Sequence, residues 1–116
     1  MTTSEIPQID PETFARLPKR GVMVIDFTAA WCPPCKAMLP ILGELAREYA
    51  GHVRMVAVDV EQQDGLAQQF GVRAMPTFVI LRDGQEVGRV LGSRSRAFVR
   101  GVLDRALAGD VAITAP

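Results

Sequence analysis

Two cysteines, Cys32 and Cys35, stand three positions apart, and the chain contains no others. Cysteine thiolates act as nucleophiles and as metal ligands, so an isolated Cys-x-x-Cys pair indicates either thiol–disulfide exchange or one half of a metal site. A metal site needs about four ligands, and the rest of the sequence offers a single histidine, His52. Covalent haem attachment would need a histidine directly after Cys35, where Lys36 stands. The pair therefore predicts redox chemistry, with no metal and no bound cofactor.

Placing this pair at the start of a helix would assist disulfide exchange. Residues at i and i+3 of a helix have Cβ atoms about 5–6 Å apart, so a small adjustment joins the two sulfurs. The free amides and dipole of a helix N-terminus, with Lys36 nearby, favour the thiolate of Cys32. Cys35 lies one turn further in, so we expect the two sulfurs to differ in exposure. Cys32 would then attack a substrate disulfide, and Cys35 would resolve the mixed disulfide.

A third candidate is Asp26, an acid within the apolar run 22–27. An acid that is buried without a partner or a role costs several kcal/mol of stability. Its presence there favours a functional role over an accidental acid at a strand end.

The cysteine pair follows a predicted central strand, and the surrounding pattern alternates strands and helices. The run 22–27 is apolar and partly β-branched, as in a strand covered on both faces. Residues 34–49 keep apolar side chains at a three-to-four spacing, which predicts an amphipathic helix bent at Pro40. Asp83-Gly84 accepts the positive φ angles of a tight turn and predicts a hairpin. The other predicted elements are helices at 10–17, at 63–70 and from the cap Ser95 to Gly109, and strands at 53–60, 77–81 and 86–91.

This order of elements predicts an α/β fold. Parallel crossovers followed by one antiparallel hairpin imply a central mixed β-sheet with helices on both faces. The length and the 48% apolar fraction suit a single domain over residues 1–116. Within it we expect an N-terminal segment at 1–9 and a loose tail at 110–116.

The charge balance argues against a polyanionic partner. Basic and acidic residues number 13 each, so no long-range field favours nucleic acid or an anionic membrane surface. No apolar run is long enough to span a bilayer, and residues 1–7 do not look like a secretory signal. The sequence alone therefore favours a cytoplasmic protein that binds neither nucleic acid nor membrane.

Several segments together resemble the thioredoxin family. They are, in chain order, Val-Ile-Asp-Phe, Ala-Ala-Trp-Cys-Pro-Pro-Cys-Lys, Leu-Pro-Ile-Leu, Val-Arg-Ala-Met-Pro-Thr and Asp-Gly. The resemblance extends over about residues 10–107. It implies the thioredoxin fold and thiol–disulfide oxidoreductase activity.

The resemblance also implies roles for individual residues. Asp26 would lie under the motif and accept the proton of Cys35. Trp31 would flank the attacking sulfur, and Pro76 would be a cis proline that faces the disulfide. A shallow apolar platform would receive an extended substrate segment. The implied substrate-binding residues are Trp31, Pro34, Met75, Pro76 and the Leu91-Gly92 segment.

Three positions depart from the family pattern. Pro33 stands where glycine is usual, and because a residue before proline avoids helical angles, we expect Pro33 to be extended and the helix to begin at Pro34. Pro33 also lacks an amide donor, while its stiffness favours ring closure, so no direction for the redox potential follows. Thr28 replaces a common tryptophan, and Ala57 replaces a lysine near the buried acid. Without that cation, we hypothesise that Asp26 stays neutral over a wider pH range than usual.

The leading functional prediction is a monomeric protein-disulfide reductase that cycles Cys32 and Cys35 between dithiol and disulfide. Its partners would be protein disulfides and a reductase that supplies electrons, with thioredoxin reductase implied by the resemblance. The first alternative is an oxidase, isomerase or maturation-pathway exchange protein, which Pro33 and Ala57 make plausible. The second alternative is a redox-inactive binding module with the same fold.

Overall fold

A computed structural model describes residues 6–110 and 113–115, and it is built around one mixed five-stranded sheet. The strands follow the order β2-β1-β3-β4-β5 across the sheet. β1 and β2 are parallel, β3 is antiparallel to both β1 and β4, and β5 is parallel to β4. The strands are β1 Val22–Thr28, β2 Val53–Asp59, β3 Thr77–Arg82, β4 Gln85–Leu91 and β5 Ile113–Ala115. The helices are α1 Pro11–Arg16, α2 Pro33–Glu48, α3 Asp64–Gln69 and α4 Arg96–Leu107.

The helices cover both faces of the sheet, as the alternation of strands and helices predicted. Side chains alternate in direction along a strand, so β1 supplies two rows of core residues. Val22 and Val24 pack with apolar residues of α2 and α4 on one face. Met23, Ile25 and Phe27 pack with α1 and α3 on the other. Asp26 continues the row of Val22 and Val24, so the strand period alone places its carboxylate beneath α2.

Local sequence signals define the ends of several elements. Asp10 begins α1, because its carboxylate accepts a hydrogen bond from the Thr13 amide at 2.8 Å. Ser95 begins α4 in the same way. Asp83 and Gly84 join β3 to β4 with φ angles of 51° and 87°, which confirms the predicted hairpin. The helix α2 continues through Pro40.

The prediction of a loose tail is wrong for part of the C-terminal segment. Ile113–Ala115 form β5 and pair with Gly88–Val90 of β4. Three residues carry too little periodicity to be recognised as a strand, and the pairing depends on a sheet edge that only the folded chain provides. At the other end of the chain, Gln8 makes a parallel bridge to Ala57, so part of the predicted N-terminal segment joins the edge of β2.

None of the helices in the described part of the chain combines the length and the apolar character needed to cross a bilayer.

Candidate functional site

The cysteine pair lies at the connection between β1 and α2. β1 ends at Thr28, a short turn follows, and Cys32 caps α2 with an extended backbone at φ −95° and ψ 106°. Cys32 and Cys35 form a disulfide with their Cα atoms 5.3 Å apart. The amide of Cys35 donates to the Cys32 sulfur at 3.2 Å. The sulfur of Cys32 is therefore the capping group of α2, because it accepts a hydrogen bond from one of the free amides at the helix start.

The expectation that the helix would begin at Pro34 is wrong by one residue. α2 starts at Pro33, because the Lys36 amide donates to the Cys32 carbonyl at 3.1 Å and so closes a helical turn around Pro33 and Pro34. The first amides of a helix have no partner within the helix, so two prolines in the first turn remove no helical hydrogen bond. This tolerance outweighs the tendency of a residue before proline to remain extended.

The two cysteine residues do not differ in exposure in the disulfide form, which corrects a second expectation. Cys32 is 3% exposed and Cys35 is 4% exposed in the disulfide form. Position on the helix does not decide exposure here, since the segment before β3 covers Cys32. The exposed group is the neighbouring Trp31, whose surface is 59% accessible. Pro33, Pro34 and Lys36 are also exposed.

The segment before β3 lies against the disulfide. The Met75–Pro76 peptide bond is cis, and the carbonyl oxygen of Met75 lies 3.8 Å from the Cys32 sulfur. Pro76 in turn accepts a hydrogen bond from the Gly92 amide at 2.9 Å. The structure therefore brings Met75, Pro76 and Gly92 to the disulfide, next to the exposed side chain of Leu91.

Ser93 adds a contact that sequence reasoning did not find. Its hydroxyl donates to the Pro34 carbonyl at 3.2 Å and so ties the segment after β4 to the first turn of α2. The two residues are far apart in sequence, and serine is common in loops, so no local pattern marks this contact. It helps to hold Gly92 beside the disulfide.

Asp26 lies beneath this surface and is 5% exposed. Burial raises the pKa of its carboxyl group to about 7 from the usual 3.8. Its cross-strand neighbour on β2 is Ala57, so the position directly beside the carboxyl group offers no cation. Within residues 6–110 no hydrogen bond or ion pair reaches the Asp26 carboxylate. The raised pKa keeps this carboxyl group neutral over a wider pH range than an exposed aspartic acid.

A cavity of about 300 Å³ connects Asp26 to the disulfide. Asp26 and Cys35 both line it, together with the short side chains of Thr28 and Ala57. Both side chains are small, and they leave space between β1, β2 and α2 unfilled. Cys35 thus has a polar neighbour on its inner side, away from the exposed Trp31.

Comparisons with known proteins place this chain in a family. The family model of Thioredoxin matches residues 6–105. The H-type thioredoxin of Fagopyrum esculentum is 45% identical over 84 residues, which are 72% of each chain. Thioredoxin 1 of Synechococcus elongatus is 35% identical over 85 residues, 73% of this chain and 79% of the relative. The crystal structure of mitochondrial thioredoxin 3 from Saccharomyces cerevisiae, in its oxidized form, is 38% identical with a TM-score of 0.80, covering 90% of this chain and 99% of that one.

The fold, the disulfide and these similarities agree with one another. Thioredoxins act on protein disulfides and are themselves reduced by a reductase, and the Cys32–Cys35 disulfide is the redox pair that such a cycle requires. The chain belongs to the thioredoxin family and is a protein-disulfide oxidoreductase of the thioredoxin type.

Proposed function

We propose that the Cys-Pro-Pro-Cys segment is the redox centre and that it reduces protein disulfides through Cys32. The observation that carries the proposal is the Cys32–Cys35 disulfide at the start of α2, with the carbonyl of Met75 beside the Cys32 sulfur. In the dithiol form, the Cys32 thiolate attacks one sulfur of a substrate disulfide. A Cys32–substrate disulfide forms, and the other substrate sulfur leaves as a thiolate.

Cys35 completes the reaction in the second step. Its thiol loses a proton and attacks the Cys32 sulfur, which restores the Cys32–Cys35 disulfide and releases the second substrate thiolate. Two electrons have then passed from the protein to the substrate. We assign the proton acceptor as Asp26, because it lines the same cavity as Cys35 and its pKa of about 7 suits proton transfer near neutral pH.

The platform for the substrate is formed by Trp31, Pro34, Met75, Pro76 and Gly92. Trp31 offers a large exposed aromatic surface, and Pro34 presents an exposed ring in the first turn of α2. Burial of such apolar groups against an extended substrate segment would provide binding free energy close to the attacking sulfur. Lys36 and Pro33 support the site, Lys36 by its positive charge and Pro33 by its fixed φ angle at the helix start.

The direction of electron flow is supported by the amides around Cys32. Pro33 and Pro34 have no N–H, so among the first three residues of α2 only Cys35 donates an amide to the Cys32 sulfur. Hydrogen bonds to a thiolate stabilise the dithiol form and make the couple more oxidising. The single amide contact seen at the Cys32 sulfur therefore supports the reductase, a direction that the sequence alone left open, over the alternative oxidase or isomerase.

Trapping of the intermediate tests the exchange mechanism. The Cys35→Ser variant, incubated reduced with a disulfide-containing protein such as insulin, should accumulate a mixed disulfide through Cys32. Intact-mass analysis should show the adduct before and not after treatment with dithiothreitol. The matched control is Cys32→Ser, which should form the adduct much more slowly than Cys35→Ser. Equal adduct formation by both variants would contradict the proposal that Cys32 is the attacking residue. No adduct with either variant would support a binding module.

Equilibration against glutathione buffers tests the direction. A reductase should have a potential close to about −270 mV, the value general among thioredoxins, whereas oxidases and isomerases lie near about −120 to −180 mV. We also propose thioredoxin reductase as the electron donor. Turnover with that enzyme and NADPH should be observed, and exchange activity without such coupling would favour the maturation-pathway alternative.

A monomeric state and a cytoplasmic location complete the proposal. Two cysteines in one redox pair suit a reducing compartment, where structural disulfides are rare. Sedimentation of the purified protein tests the first point, and fractionation of the source cells tests the second.

A further inference from the structure

The cavity behind the disulfide has the dimensions and lining of a small ligand site. Its volume of about 300 Å³ exceeds the roughly 150 Å³ that suffices to hold a benzene molecule in a protein interior. It opens on the side of the disulfide away from the substrate platform. All five platform residues, Trp31, Pro34, Met75, Pro76 and Gly92, are absent from the described lining.

The walls of the cavity are mostly apolar. Ile6, Ala29, Leu39 and Ala57 contribute apolar surface, and Ala57 lies directly across from Asp26 on the neighbouring strand. Water next to such walls has few hydrogen-bonding partners, so its displacement by an apolar group is favourable.

The charged residues that line the cavity favour a cationic ligand over an anionic one. Asp26 and Asp59 contribute two carboxylates, and Lys36 contributes one ammonium group. Lys36 is exposed and Asp59 is half-buried at the mouth, where water screens both charges. Asp26 is 5% exposed, and no side chain among residues 6–110 hydrogen-bonds to its carboxylate. A ligand that carries a hydrogen-bond donor would therefore meet an acceptor that has no protein partner among these residues and that faces the cavity.

From these observations we propose that the cavity binds a compact organic cation, a primary amine on an apolar body, with its ammonium group on Asp26. The apolar body occupies the space above Ala57, and the ammonium group donates to the carboxylate. The site does not depend on disulfide exchange, and it exists in the disulfide form described here.

Benzylamine is a suitable probe, with benzyl alcohol as its uncharged counterpart. At about pH 8, above the pKa of Asp26, titration of the oxidised, isotope-labelled protein should give saturable NMR shifts at Ala29, Ala57 and Cys35. Because a hydrogen bond between charged groups is stronger than one to a neutral group, benzylamine should bind about tenfold or more tightly than benzyl alcohol. In Asp26→Asn this preference should disappear.

The ionisation of Asp26 provides a second measurement on the unmodified protein. A ligand that binds the carboxylate must lower its pKa, and the carboxyl carbon of Asp26 reports this in an NMR titration with and without benzylamine. The other titratable groups that face Asp26 across the cavity are Lys36 on α2 and Asp59 on β2. Their own titration should be followed in the same spectra, and Lys36→Gln and Asp59→Asn should preserve the shift at Asp26.

Filling the cavity tests its location. Ala57→Leu should abolish benzylamine binding, whereas the same change at the exposed Ala108, at the end of α4, should leave it unchanged. If Ala57→Leu does not fold, Thr28→Leu fills the cavity from the end of β1. The proposal is overturned if a folded, filled variant binds as the parent does, if benzyl alcohol binds as tightly as benzylamine, or if the pKa of Asp26 does not move.

Discussion

The buried acid Asp26 makes the stability of this protein depend on pH near neutrality. Its pKa is about 7 in the folded protein and 3.8 as the ordinary value, so between these two pH values the unfolded chain releases a proton that the folded chain retains. The free energy of unfolding therefore falls progressively as pH rises from about 4 to about 7. This loss of stability is complete above the pKa of Asp26 in the folded protein. A shift of about three units, at 1.36 kcal/mol each, corresponds to about 4 kcal/mol.

Asp26→Asn should remove this dependence. Asparagine has nearly the same shape and does not ionise, so the variant should be more stable than the parent in weakly alkaline solution. The part of the loss that falls between about pH 5 and about pH 8.5 is about 2.5 kcal/mol. Urea unfolding of both oxidised proteins at the two pH values measures it, with the difference taken between the two stability changes. This double difference cancels the titration of all other groups.

The control for this experiment is Glu61→Gln, which removes an exposed acid just after β2. Its stability curve should run parallel to that of the parent over the same range. Parallel curves for Asp26→Asn would refute the assignment of a raised pKa to this carboxyl group. Any gain in stability of such a parallel curve, equal at both pH values, would then come from packing.

Three further changes have defined outcomes. Ser95→Ala removes the acceptor for the Phe98 amide at 3.1 Å and should lower the free energy of unfolding by about 1 kcal/mol in urea, a loss that Ser95→Asp should largely avoid. Tyr49→Phe removes the hydrogen bond to Asp104 that joins α2 to α4, and it should cost about 1 kcal/mol in the same assay; no change would mean that water replaces the hydroxyl fully. Trp31→Ala should change the unfolding free energy by less than about 0.5 kcal/mol because the side chain is exposed, while kcat/KM for a protein disulfide falls several-fold. Unchanged kcat/KM would remove Trp31 from the platform.

Much of the fold could be predicted because its signals are local. Three kinds of feature depend only on residues a few positions apart. They are the alternation in β1, the helix caps Asp10 and Ser95, and the turn at Asp83-Gly84. Each of these features forms from the properties of its own segment, and the sheet topology follows once the order of elements is known. The start of α2 was misplaced because two rules for proline conflict there, and the folded helix follows the rule for the first turn.

The site could be predicted only as a set of residue types. The i, i+3 spacing of Cys32 and Cys35 predicts that they can join, but it does not show what covers them. Coverage comes from the cis Met75–Pro76 segment and from Gly92, which are more than 40 residues away in sequence. The similar burial of the two cysteine residues and the contact of Ser93 are consequences of that long-range packing, so no local pattern could have revealed them.

The raised pKa of Asp26 and the cavity beside it have one cause. An acid on the inner face of a central strand must either have a cation as its neighbour or hold a proton, since isolated buried charge is too costly. Ala57 is the cross-strand neighbour of Asp26, and its side chain is small and uncharged. It therefore provides no cation, and it leaves part of the cavity beside Asp26 unfilled. A cation at that position would lower the pKa of Asp26. In its absence the charge on Asp26 changes within the neutral range, and pH therefore controls both the stability of the fold and the proton acceptor proposed for Cys35.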